Sequence, residues 1–202
     1  MKIIHTEYII NAGQFSESDK WKMVQKDIYE AINSIEWPSG SGSFTLYEEF
    51  GKKRGMGNGV KPIKLACMEK LKNLGWSLET PVDIATVKRP GPMDATLPID
   101  DKLFCVEWET GNISSSHRVI NKMALGIIKG ILIGGALILP TRNMYNYLTD
   151  RIGNYPEIEP YFPLWKALQV KEGLLAVIAI EHDGVSKDVP RIPKGTDGRA
   201  LQ

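Results

Sequence analysis

Gly91-Pro92-Met93-Asp94, followed by Phe104-Cys105-Val106-Glu107-Trp108-Glu109-Thr110-Gly111-Asn112, is the stretch on which the reading of this chain turns. Met93 to Leu97 and Leu103 to Trp108 are short apolar runs separated by Pro98 and the turn pair Asp100-Asp101. Such runs on either side of a tight turn read as a β-hairpin. Successive side chains of a strand point to opposite faces, which puts Glu107 and Glu109 on one face, roughly 7 Å apart. The hairpin brings Asp94 opposite Glu107. Burying like charges this close is costly unless a proton or a cation bridges them. Converging carboxylates at a strand end are hard oxygen ligands suited to Mg²⁺. Spacing alone also allows an edge strand whose glutamates are simply solvated.

Outward from the hairpin, the chain alternates helical and strand patterns. Trp21, Val24, Ile28, Ile32 and Ile35 recur on one helical face behind Ser16 and Ser18 and stop before Pro38. Ser39 to Gly59 reads as an exposed loop with a short strand at Phe44–Tyr47. Pro62 opens a second helix with Ile63, Ala66, Leu71 and Leu74 inward and Gly75 just past its end. Val82–Val87 is a further strand candidate. A helix from about Ser114 to Lys129 runs into a strand at Ile131–Leu139. Helical stretches at Thr141–Ile152 and Glu157–Gln169 precede a strand at Leu174–Glu181, and the tail from Val189 is rich in proline and glycine. Pro160 and Pro163 fit only in the first turns of a helix. Helices flanking a mixed central sheet make an α/β domain, and no repeat or linker divides residues 1–202.

The 202 residues are enough for one domain with a substantial core. A formal net charge of +1 gives no global nucleic-acid signature. Basic residues cluster locally, at Lys52-Lys53-Arg54, Lys61 and Lys64, Lys88-Arg89, and from Lys187 to Arg199; solvated loops account for such runs equally well. Cys67 and Cys105 are far apart in apolar runs and read as reduced core thiols, while His5, His117 and His182 form no zinc pattern. The start of the chain lacks the apolar core of a signal peptide, so a cytoplasmic location is expected. Met123–Pro140 is the one membrane-like run, but Lys129 and four glycines interrupt it, which favours a helix end joined to a buried strand.

Longer motifs carry a family resemblance. Glu79-Thr80-Pro81, Gly91-Pro92-Met93-Asp94 and the run Glu107 to Arg118 closely resemble the BamHI family of type II restriction endonucleases. The likeness extends to Gly59–Lys64, Tyr147–Arg151, Glu159–Phe162 and Ile192–Gly198, and so spans about residue 37 to residue 198. The resemblance implies a PD-(D/E)XK restriction-endonuclease-like fold in the variant with glutamate in place of the usual lysine. By resemblance, Glu79, Asp94 and Glu107 bind Mg²⁺, and Glu109 takes the general-base position. The implied reaction is Mg²⁺-dependent hydrolysis of double-stranded DNA at the palindrome GGATCC, leaving 5′-phosphate and 3′-hydroxyl ends with 5′ overhangs. The implied assembly is a homodimer reading one half-site per subunit. The apolar stripe Ile120, Met123, Leu125 and Ile127 suits a subunit interface or the protein's own core.

The resemblance places base contacts on Asn112, Ser114 and Arg118, and on Asp150-Arg151, with Asp197 and Gly198 near the minor groove and Lys64 near the DNA. Chemistry permits these roles: arginine suits guanine, asparagine adenine, and aspartate the N4 amine of cytosine. Ordinary alternatives exist for each. Asn112 or Ser114 can be an N-cap, Asp150-Arg151 a solvent ion pair, and Lys64 a surface helix residue. The sequence also departs from the family pattern. The Asp94–Glu107 loop is shorter, Trp165–Gln169 matches poorly, and a tail from Arg191 to Gln202 replaces a longer extension and is expected to order on DNA. A nuclease of the same fold with another specificity, or a repair nuclease, would need the carboxylates but not the paired readers. A DNA-binding module with an inactive site would bind without cutting.

Overall fold

The computed structural model describes residues 1–53, 55–84, 91–149 and 152–194. A six-stranded mixed sheet forms its centre, in the order β1-β7-β6-β5-β4-β3. The strands are β1 (Lys2–Ala12), β3 (Ser77–Pro81), β4 (Pro92–Ile99), β5 (Lys102–Trp108), β6 (Leu132–Pro140) and β7 (Gly173–Glu181), while β2 (Thr45–Tyr47) and β8 (Gly184–Ser186) pair separately. β5, β6 and β7 run parallel to one another, and the pairs β1–β7, β4–β5 and β3–β4 are antiparallel. Helix α1 (Asp19–Asn33) and α2 (Lys61–Asn73) pack with one core cluster, α3 (Ile113–Ile128) with another. The expected mixed sheet flanked by helices is therefore what forms.

Local chemistry explains most of these elements. Ser18 caps α1 by accepting from the Trp21 N–H; Trp21, Val24, Ile28 and Ile32 on its face are buried, as is Ile35 just past the helix end. Gly75, at φ +95°, closes α2 in the conformation that glycine adopts cheaply. β6 is buried along its whole length, the pattern of a central strand covered on both faces. The membrane-like run thus resolves into the end of α3 and β6, and no helix among the described residues is long and apolar enough to cross a membrane. Both cysteines are free and buried.

Several expectations need correction. β1 pairs with β7 at the sheet edge and was not legible as a strand. Ala66 is exposed; Cys67 and Met68 fill the inward face of α2 with Ile63 and Leu71. The strand expected at Val82–Val87 lies earlier, at Ser77–Pro81, and residues 85–90 are outside the described set. The helix expected from Thr141 is a single turn, α4 (Arg142–Tyr145). Beyond it, the chain is drawn away by Asn58, whose fully buried amide donates to the carbonyls of Tyr47 and Tyr147 and accepts from Ile192 N–H. The helix expected over Glu157–Gln169 is broken into α5 (Tyr155–Ile158), a 3₁₀ turn (Glu159–Tyr161) and α6 (Phe162–Lys166), with a proline at the start of each piece. A proline lacks the N–H and crowds the preceding turn, so each one restarts the helix.

Candidate active site

The β4–β5 hairpin closes through Asp100-Asp101, with Ile99 paired to Lys102 and Asp100 at φ 54°. Its register runs through Ala95 opposite Val106, so the next pair along is Asp94 and Glu107, as the sequence implied. Burial, and then the Asp94 charge, push Glu107 up to about 8, against the pull of Lys64 and Lys122.

Asp94 is nearly inaccessible. One of its oxygens accepts from the Trp108 N–H at 2.8 Å, and the other takes the ammonium of Lys64 at 2.5 Å. The second contact was not foreseen. Lys64 stands one turn into α2, in a different layer from the hairpin, and spends its charge on the carboxylate pair instead of projecting from the helix surface. Lys122 of α3 donates to the Gly91 carbonyl at 2.8 Å and adds a second cation near Glu107.

Glu109 follows the end of β5 and is buried. Its Oε1 accepts from Gly111 N–H at 2.5 Å and its Oε2 from the Ser116 hydroxyl at 2.6 Å. Burial raises its pKa, while those donors and the Thr110 N–H oppose the rise and Asp94 adds to it. Glu79 sits in β3 between pairs that place it across from Asp94, is exposed, and holds φ 50°. A left-handed backbone at a non-glycine strand residue costs on the order of 1–3 kcal/mol and clusters at functional sites.

Among the described residues, no three histidine, cysteine or carboxylate side chains are gathered into a metal-binding group. Asp94 and Glu107 are register partners, Glu109 is turned onto Ser116 and Gly111, and Glu79 is exposed. The pair itself suits a hard divalent cation. It consists of two oxygen donors, largely desolvated, whose mutual repulsion a cation would relieve.

Beside the carboxylates, the first turn of α3 opens to solvent. Asn112 is its N-cap, accepting from Ser115 N–H at 3.3 Å, so the ordinary capping role is realised. Asn112, Ser114 and Arg118 are nevertheless exposed. Arg118 stands one turn beyond Ser114 and lines, with Ser114, Glu107 and Lys122, a groove of about 840 Å³. Asp150, Arg151, Asp197 and Gly198 lie outside the described residues. On the flank of α3, His117 meets Tyr161 edge-on at 4.4 Å and Trp165 Nε1 donates to Asn121 at 2.9 Å, so the α5–α6 segment packs there. Ile120, Met123 and Ile127 from the apolar stripe lie in the protein's own core, and Leu125 is only half-buried.

Comparison with known proteins bears directly on this arrangement. The family model for restriction endonuclease BamHI matches residues 1–199. The chain is 50% identical over 202 residues to the type II restriction enzyme OkrAI of Oceanobacter kriegii, covering 100% of both chains. It is 33% identical over 201 residues to the type II restriction enzyme BamHI of Bacillus amyloliquefaciens, covering 92% of this chain and 90% of that one. Among solved structures, restriction endonuclease BglII complexed with a DNA 16-mer aligns at a TM-score of 0.61 and 11% identity, over 94% of this chain and 88% of the other, which speaks for the fold. A family match along nearly the whole chain and two relatives of one kind, each covered over at least 90% of its length, place it: the chain belongs to the BamHI family and is a type II restriction endonuclease.

Proposed function

We propose that this enzyme hydrolyses both strands of DNA at GGATCC in the presence of Mg²⁺, leaving 5′-phosphate and 3′-hydroxyl ends with 5′ overhangs. The observation that carries the reading is the juxtaposition of the Asp94–Glu107 pair and Glu109 with the exposed first turn of α3. Identity to OkrAI and BamHI supports the specificity, and the likeness of the fold to BglII, solved on DNA, supports a duplex as partner.

Held by Asp94 and Glu107, with Glu79 as the further carboxylate across the register, Mg²⁺ would neutralise charge on the phosphoryl oxygens and help form the hydroxide nucleophile. The remaining work falls to side chains. Glu109 is the general base. Its carboxylate keeps lone-pair capacity beyond that taken by Gly111, Ser116 and Thr110, and burial raises its proton affinity. Lys64 holds the orientation of Asp94 and brings positive charge to where a phosphate meets the carboxylates.

Arg118 reads guanine, and Asn112 and Ser114 contribute base or phosphate contacts at the exposed helix start. Asp150 and Arg151 supply the second reading pair, and Asp197 and Gly198 approach the minor groove. A palindrome requires two subunits related by a two-fold axis. The α3 and α5–α6 surface, with Tyr161 and Leu164 exposed, provides the homodimer face.

Incubating the protein with a randomised duplex library and Mg²⁺, then sequencing the ends, tests the reading. Recurrent cleavage at GGATCC with 5′ overhangs, absent in EDTA, is the expected result. A different recurrent site, scattered cuts, or full cleavage in EDTA would overturn it.

A further inference from the structure

Ser116 has a property that neither capping nor core packing explains. It is fully buried, and its hydroxyl donates at 2.6 Å to Glu109 Oε2. A serine inside a helix ordinarily turns its hydroxyl back to a carbonyl of the preceding turn. Here the donor goes to a buried carboxylate. The other oxygen of Glu109 is held at 2.5 Å by the N–H of Gly111. The two donors bracket the exposed turn: Gly111 immediately precedes Asn112, and Ser116 follows Ser114 by two positions. Both oxygens of Glu109 are thus fastened to the same turn that presents Asn112 and Ser114 to solvent. The arrangement is tightly backed. Gly153 N–H donates to the Gly111 carbonyl at 2.8 Å, and a Cβ on Gly153 would lie 2.5 Å from Ser116 Oγ and 3.4 Å from Glu109 Cγ.

We propose that Ser116 is a positioning residue that ties Glu109 to the reading turn of α3, so that the fit of the turn to the base edges sets the alignment of Glu109. The proposal rests on the reading of Glu109 as the base. When Asn112 and Ser114 sit correctly on DNA, the two donors carry Glu109 into place. On a sequence that shifts the turn, Glu109 shifts with it. Discrimination between DNA sequences is then larger in the cleavage rate than in binding, because misplacement of a reacting group by about 1 Å can cost about 100-fold.

The test uses Ser116→Ala, Ser116→Cys, Gly153→Ala and Glu109→Gln in the full chain. Affinity is measured in EDTA for GGATCC and for a duplex with one base pair changed, and single-turnover cleavage of both is measured in Mg²⁺. Ser116→Ala is expected to bind both duplexes within about twofold of the parent while cleaving GGATCC about 100-fold more slowly. Its rate ratio between the two duplexes should fall toward the binding ratio. Ser116→Cys, which keeps the volume and a weak donor, should fall between the two. Gly153→Ala should displace the hydroxyl and mimic Ser116→Ala, and in the double variant the second change should add little.

Parental rate and discrimination in Ser116→Ala would overturn the proposal. So would a loss of rate matched by equal losses of affinity and melting temperature, which marks a merely structural serine. If Glu109→Gln cleaves at the parental rate, the base reading and the coupling fail together. If Glu109→Gln is inactive and Ser116→Ala is not, only the coupling fails.

Discussion

The two halves of the central sheet both bury apolar side chains, but only one of them also buries carboxylates. β6 and β7 are apolar and buried along almost their whole length, in parallel register from Gly134–Leu174 to Pro140–Ile180. The adjacent β4 and the end of β5 place Asp94, Thr96 and Glu107 in the same layer, with Glu109 just beyond. Desolvating those carboxylates opposes folding. The cost is met locally by Lys64, the Trp108 N–H and the Ser116 hydroxyl, and globally by the apolar half beside them. The buried carboxylates are therefore confined to one side of the sheet, and on the proposed function substitutions should separate stability from cleavage.

The largest effect on stability is expected in the apolar half. Leu137 is fully buried in β6, and Leu137→Ala should destabilise the protein by about 2–5 kcal/mol through lost burial and a cavity. Urea unfolding measures it, and a loss under 1 kcal/mol would mean that the apolar half does not dominate. A smaller loss, about 2 kcal/mol, is expected for Lys64→Met, which leaves a buried Asp94 oxygen without its charged donor. Added Mg²⁺ should restore part of that loss in a thermal melt; identical melts with and without Mg²⁺ would argue against a cation at the pair.

Next comes pH. The Glu107 carboxyl is raised from 4.5 to about 8, so its protonated form is favoured in the folded protein. Its contribution to stability is full below about 4.5 and is lost as pH rises through about 8. Metal-free protein should therefore lose stability across that window, and Glu107→Gln should flatten the slope. An unchanged slope would place the titration elsewhere.

The smallest stability effect belongs to the reading turn. Arg118 is exposed, and Arg118→Ala should change stability by less than about 0.5 kcal/mol. It should nevertheless weaken binding to GGATCC by roughly 1–3 kcal/mol relative to a random duplex. Competition titrations decide it: equal losses on both duplexes would make Arg118 a phosphate anchor.

The same division governs what could be read in the sequence. The face of α1 and the hairpin register that pairs Asp94 with Glu107 were legible, because each is set by a short-range period or by the Asp100-Asp101 turn. β1 was not. It is half-buried at the sheet edge, and its partner β7 lies at the other end of the chain, so no local pattern announces it. Expected long helices after Thr141 failed where Asn58 and two prolines override helical periodicity. Within the site, the carboxylates could be named from spacing and resemblance. The partners that tune them, Lys64, Lys122 and Ser116, depend on how α2 and α3 dock, which spacing along one strand does not encode.

On the proposed function, the polar end of the sheet performs hydrolysis while the helix start beside it reads the sequence. Asp94→Asn keeps the size of the side chain and removes the charge that pairs with Lys64 and with any bound cation. Measured on one preparation, its affinity for a GGATCC duplex in EDTA should stay within a few-fold of the parent, while single-turnover cleavage in Mg²⁺ falls below detection. Retained cleavage, or a loss of binding as severe as the loss of cleavage in a protein that remains folded, would rule out this division of labour.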